Sequence, residues 1–184
     1  MTLIDRITGA ATGHGLSAVG VCATDRFADV EQSLRARVAD GRSGGLKFTF
    51  ADPDLATDVR RSFPWAESLV VAARAYLPDA GSPGTPQPQT GRVARFATTD
   101  HYAGLRRGLE AIVAVLEASG HRAVALSDDN RLVDRAAAVR AGIAWWGKNT
   151  MALAPSTGPW TLLGTVVTDA PLPVAAPMRR DCGT

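Results

Sequence analysis

The chain has 184 residues, 46% of them hydrophobic and 21% charged, with a formal net charge of +2. That length supports one domain with a substantial core, the composition is ordinary for a globular protein, and so small a charge does not by itself argue for nucleic acid. No stretch approaches the ~20 apolar residues of a membrane helix. The opening Met1-Thr2-Leu3-Ile4-Asp5-Arg6 lacks the basic and long apolar regions of a signal peptide, and two cysteines, Cys22 and Cys182, make no disulfide framework. A cytoplasmic monomer without membrane contact is the expectation.

Leu3, Ile4, Ile7, Ala10 and Ala11 recur at helical spacing up to Gly13 and Gly15. Ser17–Cys22 reads as a small-residue strand, with Cys22 a buried core thiol. Residues 26–39 predict a charged amphipathic helix with Val30, Leu34 and Val38 on one face. A turn over residues 40–45 leads to an apolar, aromatic segment at 46–50 and a short segment opened by Asp52-Pro53. Ser68–Tyr76 is nearly continuous and apolar, hence a central strand. Pro78–Gly91 is proline- and glycine-rich, a surface loop rather than a domain linker. Gly91–Ala97 is a short basic strand or loop.

Thr98-Thr99-Asp100 predicts a helix N-cap, followed by a stripe of Leu105, Leu109, Ile112, Val113 and Leu116 that Gly120 closes. His121–Leu126 and Trp160–Asp169 predict strands; Gly164 in the second suggests a bulge or a close approach. A hairpin is expected around Gly158, and Ala170–Pro177, with three prolines, reads as an arm leaving the fold. The irregular alternation of helices and strands predicts an α/β fold of the α+β sandwich type, with a mixed, largely antiparallel sheet flanked by helices.

The chemistry-bearing residues concentrate between Asp128 and Gly164. Gly142–Lys148 matches the start of a phosphate-binding P-loop, but a helix pattern precedes it and Asn149 stands where Ser or Thr should hold magnesium. That order of elements argues against a nucleotide site. Asp129 and Asn130 read as helix caps, Asp134 and Arg135 as helix surface, and Trp145 and Trp146 as core and rim. Asp128 follows a strand's C-terminal end, the usual edge of a ligand crevice, where a partly desolvated carboxyl can donate a proton near neutrality. Asp100, His101 and Tyr102 gather three proton-active groups at one helix start. A crevice lined by Asp128, Asp100, Arg95 and Lys148 is the expected site. Arg92, Arg95, Arg106 and Arg107 form either a phosphate-facing patch or solvated surface.

Taken together, these residues resemble the epoxyqueuosine reductase family. The resemblance runs through Asp100-His101-Tyr102 with Leu105 and Leu109, then Asp128 six residues before Asp134-Arg135. It continues through Ala141-Gly142-Ile143-Ala144-Trp145-Trp146-Gly147-Lys148-Asn149, Gly158-Pro159-Trp160 and Leu163-Gly164, to Asp181-Cys182-Gly183. Departures are the inverted His101-Tyr102 pair, Asp129-Asn130 and Pro159, which bear on the substrate more than on the cofactor.

The resemblance implies a cobalamin-binding domain over residues 1–176, similar to nitroreductase and reductive dehalogenase folds, and the start of a 4Fe-4S ferredoxin-type domain at 177–184. It implies an oxidoreductase of queuosine biosynthesis that reduces epoxyqueuosine in the tRNA anticodon loop. Asp128 would be the proton donor. Arg95, Asp128, Gly147, Lys148, Asn149, Thr150, Met151 and Ala152 would contact cobalamin, and Asp100, His101 and Tyr102 the substrate. Cys182 would be one ligand of the first of two 4Fe-4S clusters. Each cluster needs four thiolates, so the chain reads as part of a longer reductase, inactive alone. A non-catalytic cobalamin-binding module and a flavin-dependent nitroreductase-like enzyme are the alternatives.

Overall fold

The computed structural model describes residues 1–77, 91 and 93–182. The expected loop at 78–90, Arg92 of the basic patch, and Gly183 and Thr184 lie outside the described residues.

The framework is a four-stranded sheet of β1 (Ala18–Ala23), β2 (Ser68–Ala75), β6 (Thr161–Thr168) and β3 (Ala123–Leu126), in the order β1-β2-β6-β3. Every pairing in it is antiparallel, with Val21 opposite Val70, Val70 opposite Val166 and Val166 opposite Ala125. The expected mixed, largely antiparallel sheet is wholly antiparallel among the described strands. β2 is central, as its apolar run predicts: residues 68–73 are buried.

Both faces of the sheet are covered, and strand alternation sends side chains to two cores. On one face, Val70, Ala72 and Val166 pack under α1 (Leu3–Gly13) and α5 (His101–Glu117), which contribute Ile7, Ala11, Leu105, Leu109, Ile112 and Leu116. The i, i+4, i+7, i+11 stripe of α5 is what this layer buries. On the other face, Leu69, Val71, Ala73 and Val167 pack against α6 (Asp134–Arg140) and the Phe27, Val59 and Phe63 cluster. The small side chains of Ala136, Ala137 and Ala138 let α6 lie close to the sheet. Gly20 on β1 makes the same contact possible, because a Cβ there would overlap the Ala141 carbonyl oxygen and lie 2.8 Å from Ile143 Cγ2.

Five expectations are corrected or narrowed. Helix α2 (Ala28–Ala39) forms but buries no residue; Val38 is 43% exposed. It is held by its flank, where Phe27 is buried and its N–H donates to Thr57. Arg35 also pairs at 2.8 Å with Asp54 of α4 (Pro53–Thr57). Of the expected strand or loop at Gly91–Ala97, no strand forms among the described residues; residues 95–97 form a 3-10 turn. The hairpin at Gly158 does not join two sheet strands. A tight Ala154–Gly158 bridge closes there, while β5 (Ala152–Leu153) pairs with β4 (Trp145–Trp146) in a separate ribbon. Gly164 keeps regular register, so it serves close approach and not a bulge: its Cβ position is 2.6 Å from Leu109 Cδ1. The segment after Ala170 stays on the body, with Ala170 and Leu172 buried and the Ala175 N–H donating to Val21 at 2.9 Å.

Candidate functional site: a crevice at the end of the sheet

An open crevice of about 720 Å³ lies where β3 ends and β6 begins. This volume is within the range of small-molecule and cofactor clefts. Its floor is apolar, with Leu132, Val133, Ala136, Leu162 and Leu163. The α2 face (Val30, Ser33, Leu34, Arg37) and Phe48-Thr49-Phe50 form one wall; Trp146, Thr150 and Met151 form another; Tyr102, Asp128 and Asp134 carry its proton-active groups.

The loop after β3 shapes this site. Asp128 takes a positive φ of 53°, a conformation Asp tolerates better than most residues. Its carboxylate is exposed at the crevice, so the expected partial desolvation of Asp128 does not hold. Asp129 does not cap α6. Its carboxylate accepts from the Arg131 backbone N–H and from Nε at 2.9 Å each, and from Nη2 at 2.6 Å. Val133 is the N-cap and offers no side-chain bond. The Arg131 guanidinium and backbone hold the Asp129 carboxyl below the usual carboxylate range despite partial burial.

The desolvated acid is Asp134, which the sequence assigns to helix surface. Its Oδ1 is sealed from solvent and has no hydrogen-bond partner. Burial, then the charges of Asp128 and Asp129, push its carboxyl up to about 7, and Arg135 offsets this in part. Burial and the neighbouring Asp128 and Asp134 likewise raise the Tyr102 hydroxyl above its ordinary range.

The 147–151 segment is a turn that consumes its own donors. The Gly147 N–H donates to the Met151 carbonyl at 2.8 Å and the Thr150 N–H to the Gly147 carbonyl at 3.0 Å. The Met151 N–H donates to Asn149 Oδ1 at 3.1 Å. With those amides committed, and a helix ahead of the motif, the G-x-x-x-x-G-K match builds no phosphate cradle. Arg135 Nη1 donates to the Thr150 carbonyl at 3.1 Å and ties this turn to the start of α6.

Of the residues expected at the site, Tyr102, Asp128, Thr150, Met151 and Ala152 line the crevice. Arg95, Asp100, His101, Gly147, Lys148 and Asn149 are not among its described lining. Asp100 caps α5, accepting from the Ala103 N–H at 2.8 Å, and pairs with Arg106 at 3.4 Å. The Arg95 guanidinium stacks 5.4 Å from the Trp160 ring centroid. The His101 ring lies 5.5 Å from that of Tyr76. Lys148 is exposed at the turn's tip. Sequence reasoning missed the α2 and Phe48 wall. The signal was present: Val30 and Leu34 are one turn apart on a helix whose charge leaves it no core to cover.

Cys22 is buried, and burial pushes its thiol up to about 12, consistent with an inert core thiol. Cys182 is exposed, and the described residues hold no group of three or more His, Cys, Asp or Glu suited to a metal ion. No helix among them is long and apolar enough to cross a membrane.

No protein-family model matches the chain. The epoxyqueuosine reductase of Staphylococcus aureus is 30% identical over 176 residues, 92% of this chain and 45% of that protein. That of Gloeobacter violaceus is 29% identical over 97% of this chain and 56% of its own length. The chain is homologous to the epoxyqueuosine reductases. It spans about half the length of the curated relatives it matches. The solved epoxyqueuosine reductase of Streptococcus thermophilus superposes with a TM-score of 0.86 at 26% identity, over 100% of this chain and 50% of that one. An epoxyqueuosine reductase bound to an epoxyqueuosine-modified tRNA-Tyr stem loop superposes at 0.81 with 25% identity. A catabolic reductive dehalogenase, at 0.62 and 21% identity, shares the fold.

Proposed function

We propose that this chain is the cobalamin-binding part of an epoxyqueuosine reductase, acting on epoxyqueuosine in tRNA. The observation that carries the reading is that the likeness to epoxyqueuosine reductases of known structure extends over the whole chain, crevice walls included. Residues 1–176 would form the cofactor domain and 177–184 the start of an iron–sulfur domain whose clusters deliver electrons, with Cys182 a ligand of the first.

The crevice suits a corrin. A broad apolar floor matches the face of a large flat macrocycle, and Ser33, Thr49, Asn130 and Thr150 on the walls match its fringe of amides. No His or Cys is among the described lining residues, so this wall would supply cobalt with neither a nitrogen nor a sulfur ligand. When bound, reduced cobalamin supplies the electrons for opening the epoxide. Loss of the epoxide oxygen as water consumes two electrons and two protons. Asp128 would deliver a proton once cofactor and substrate cover its exposed carboxyl: it stands on the crevice wall, at a loop held by the Asp129–Arg131 fork, with its carboxyl free of hydrogen bonds to described residues. Tyr102 sits across from it at the start of α5, where the substrate base would enter.

The test is a visible absorbance titration of the purified chain with cob(II)alamin. A saturable shift to a base-off spectrum at micromolar protein is expected. Flavin binding in place of corrin would replace this reading with a nitroreductase-like one, and binding of neither would exclude the chain as a self-sufficient cofactor domain.

A further inference from the structure

We propose that Asp134 binds the occupant of the crevice as a neutral carboxylic acid, so that cofactor binding takes up a proton and weakens in alkaline solution. This inference rests on the cobalamin reading above and adds a residue and a proton to it.

Three observations lead there. First, Asp134 lines the crevice, yet its Oδ1 is sealed from solvent without any hydrogen-bond partner. A buried polar atom left unpaired is costly, and native structures rarely retain one without a use for it. The sealed oxygen disfavours the carboxylate, and a ligand would meet the carboxyl through the oxygen on its crevice side. Second, nothing nearby stabilises the ionised form strongly. Asp128 and Asp129, on the loop before α6, both disfavour it. Arg131, the cation on that loop, is spent on Asp129. Among the described residues, Arg135 is the one opposing charge acting on Asp134, and its Nη1 donates to the Thr150 carbonyl.

From α5, Tyr102 presents a hydroxyl that is itself harder to ionise than usual. Of the strands packed on α6, β1 brings Cys22, a thiol held neutral by burial. On β2, Arg74 points to the opposite face, against Gly15 and Gly104. Third, a macrocycle seated on Leu132, Val133 and Ala136 would cover the Asp134 side of the crevice and remove what remains of its hydration. Covering an ionised carboxylate that has no counter-charge is unfavourable, whereas a neutral acid can donate its O–H to an amide carbonyl of the corrin fringe.

The sign follows. The carboxyl titrates near 7 in the free protein. A ligand that requires the protonated form binds fully below that value, and its affinity then falls by up to about tenfold for each pH unit above it. The Asp134→Asn side chain keeps a donor of similar shape and cannot ionise. The Asp134→Leu side chain keeps the bulk and loses the donor.

The experiment is the cob(II)alamin titration of the whole chain, repeated from pH 6 to pH 8.5 for wild type, D134N and D134L, with circular dichroism confirming that each variant is folded. The expected result is a wild-type affinity that drops more than tenfold across this range, a D134N affinity close to wild type at pH 6 and flat above it, and weak binding by D134L throughout. A purely structural role for Asp134 would leave the pH profile unmoved in D134N. Wild-type binding that is independent of pH, or a D134N profile that still falls, overturns the inference while leaving the cobalamin reading intact. Absence of binding by all three proteins at every pH overturns both.

Discussion

Arg131 grips the carboxylate of Asp129 with Nε and Nη2, at 2.9 and 2.6 Å, while also donating its backbone N–H to it. Three bonds from one residue to another two positions away close a compact loop. The guanidinium also stands 5.0 Å from the Phe63 ring centroid, which anchors the loop to the core. The neighbouring Asp128 is thereby held in its left-handed conformation without using its own carboxylate. Replacing Arg131 by Met should cost less than about 1 kcal/mol of stability, because the pair is partly in solvent. It should cost much more in reaction rate, through loss of the Asp128 geometry. Urea unfolding beside turnover in a chain that also carries the proposed iron–sulfur domain separates the two; a rate that falls no more than stability does would deny the loop this role.

Under the proposed function, Asp128→Asn in a chain that also carries the proposed iron–sulfur domain should retain cobalamin and lose turnover by about a hundredfold or more, the usual scale for a positioned proton donor. The amide preserves shape and cannot release a proton. Unchanged turnover would remove Asp128 from the mechanism.

Asp134 also makes stability depend on pH. Its folded value of about 7 lies above the ordinary value of 3.8. The stabilisation from keeping its proton is complete below about pH 4 and is lost as pH rises to about 7. Above that, the folded protein carries a buried carboxylate at a cost on the order of 2–4 kcal/mol. D134N should therefore be more stable than wild type at pH 8.5 and nearly equal to it at pH 4. Urea midpoints at the two pH values test this, and parallel curves for the two proteins would place the ionisation elsewhere.

Lys148 stands exposed at the tip of the 147–151 turn, outside the crevice lining. If it meets the cofactor's phosphate or amides from the rim, Lys148→Ala should weaken cobalamin retention only a few-fold, the scale of a solvated charge. Equal cobalamin content in the two purified proteins would exclude the contact.

Gly20→Ala tests the seat of α6. The added methyl would collide with the Ala141 carbonyl oxygen and Ile143, and overpacking of this kind typically costs about 1–3 kcal/mol. Since α6 carries Asp134 and Arg135, cofactor affinity should fall with stability. A thermal midpoint equal to wild type would show that α6 can shift freely.

The local elements were legible because their signals are local. The leucine stripe of α5, its Asp100 cap and the apolar run of β2 need only neighbouring residues to be read. Asp128 was also legible, since the end of a strand is where an α/β crevice opens. The balance of desolvation was not. From the sequence, Asp128 is the partly buried acid and Asp134 lies on a helix surface; in the fold Asp128 is exposed and Asp134 Oδ1 is sealed. Burial depends on what packs from elsewhere: the sheet beneath α6, and the loop that ties Arg131 to Asp129. Nor could the sequence show that Arg95 and His101 are occupied with Trp160 and Tyr76. The residue types that line the crevice were written into the chain by itself. Tertiary structure decided which carboxyl keeps its proton, because burial, the largest influence on Asp134, comes from segments distant in sequence.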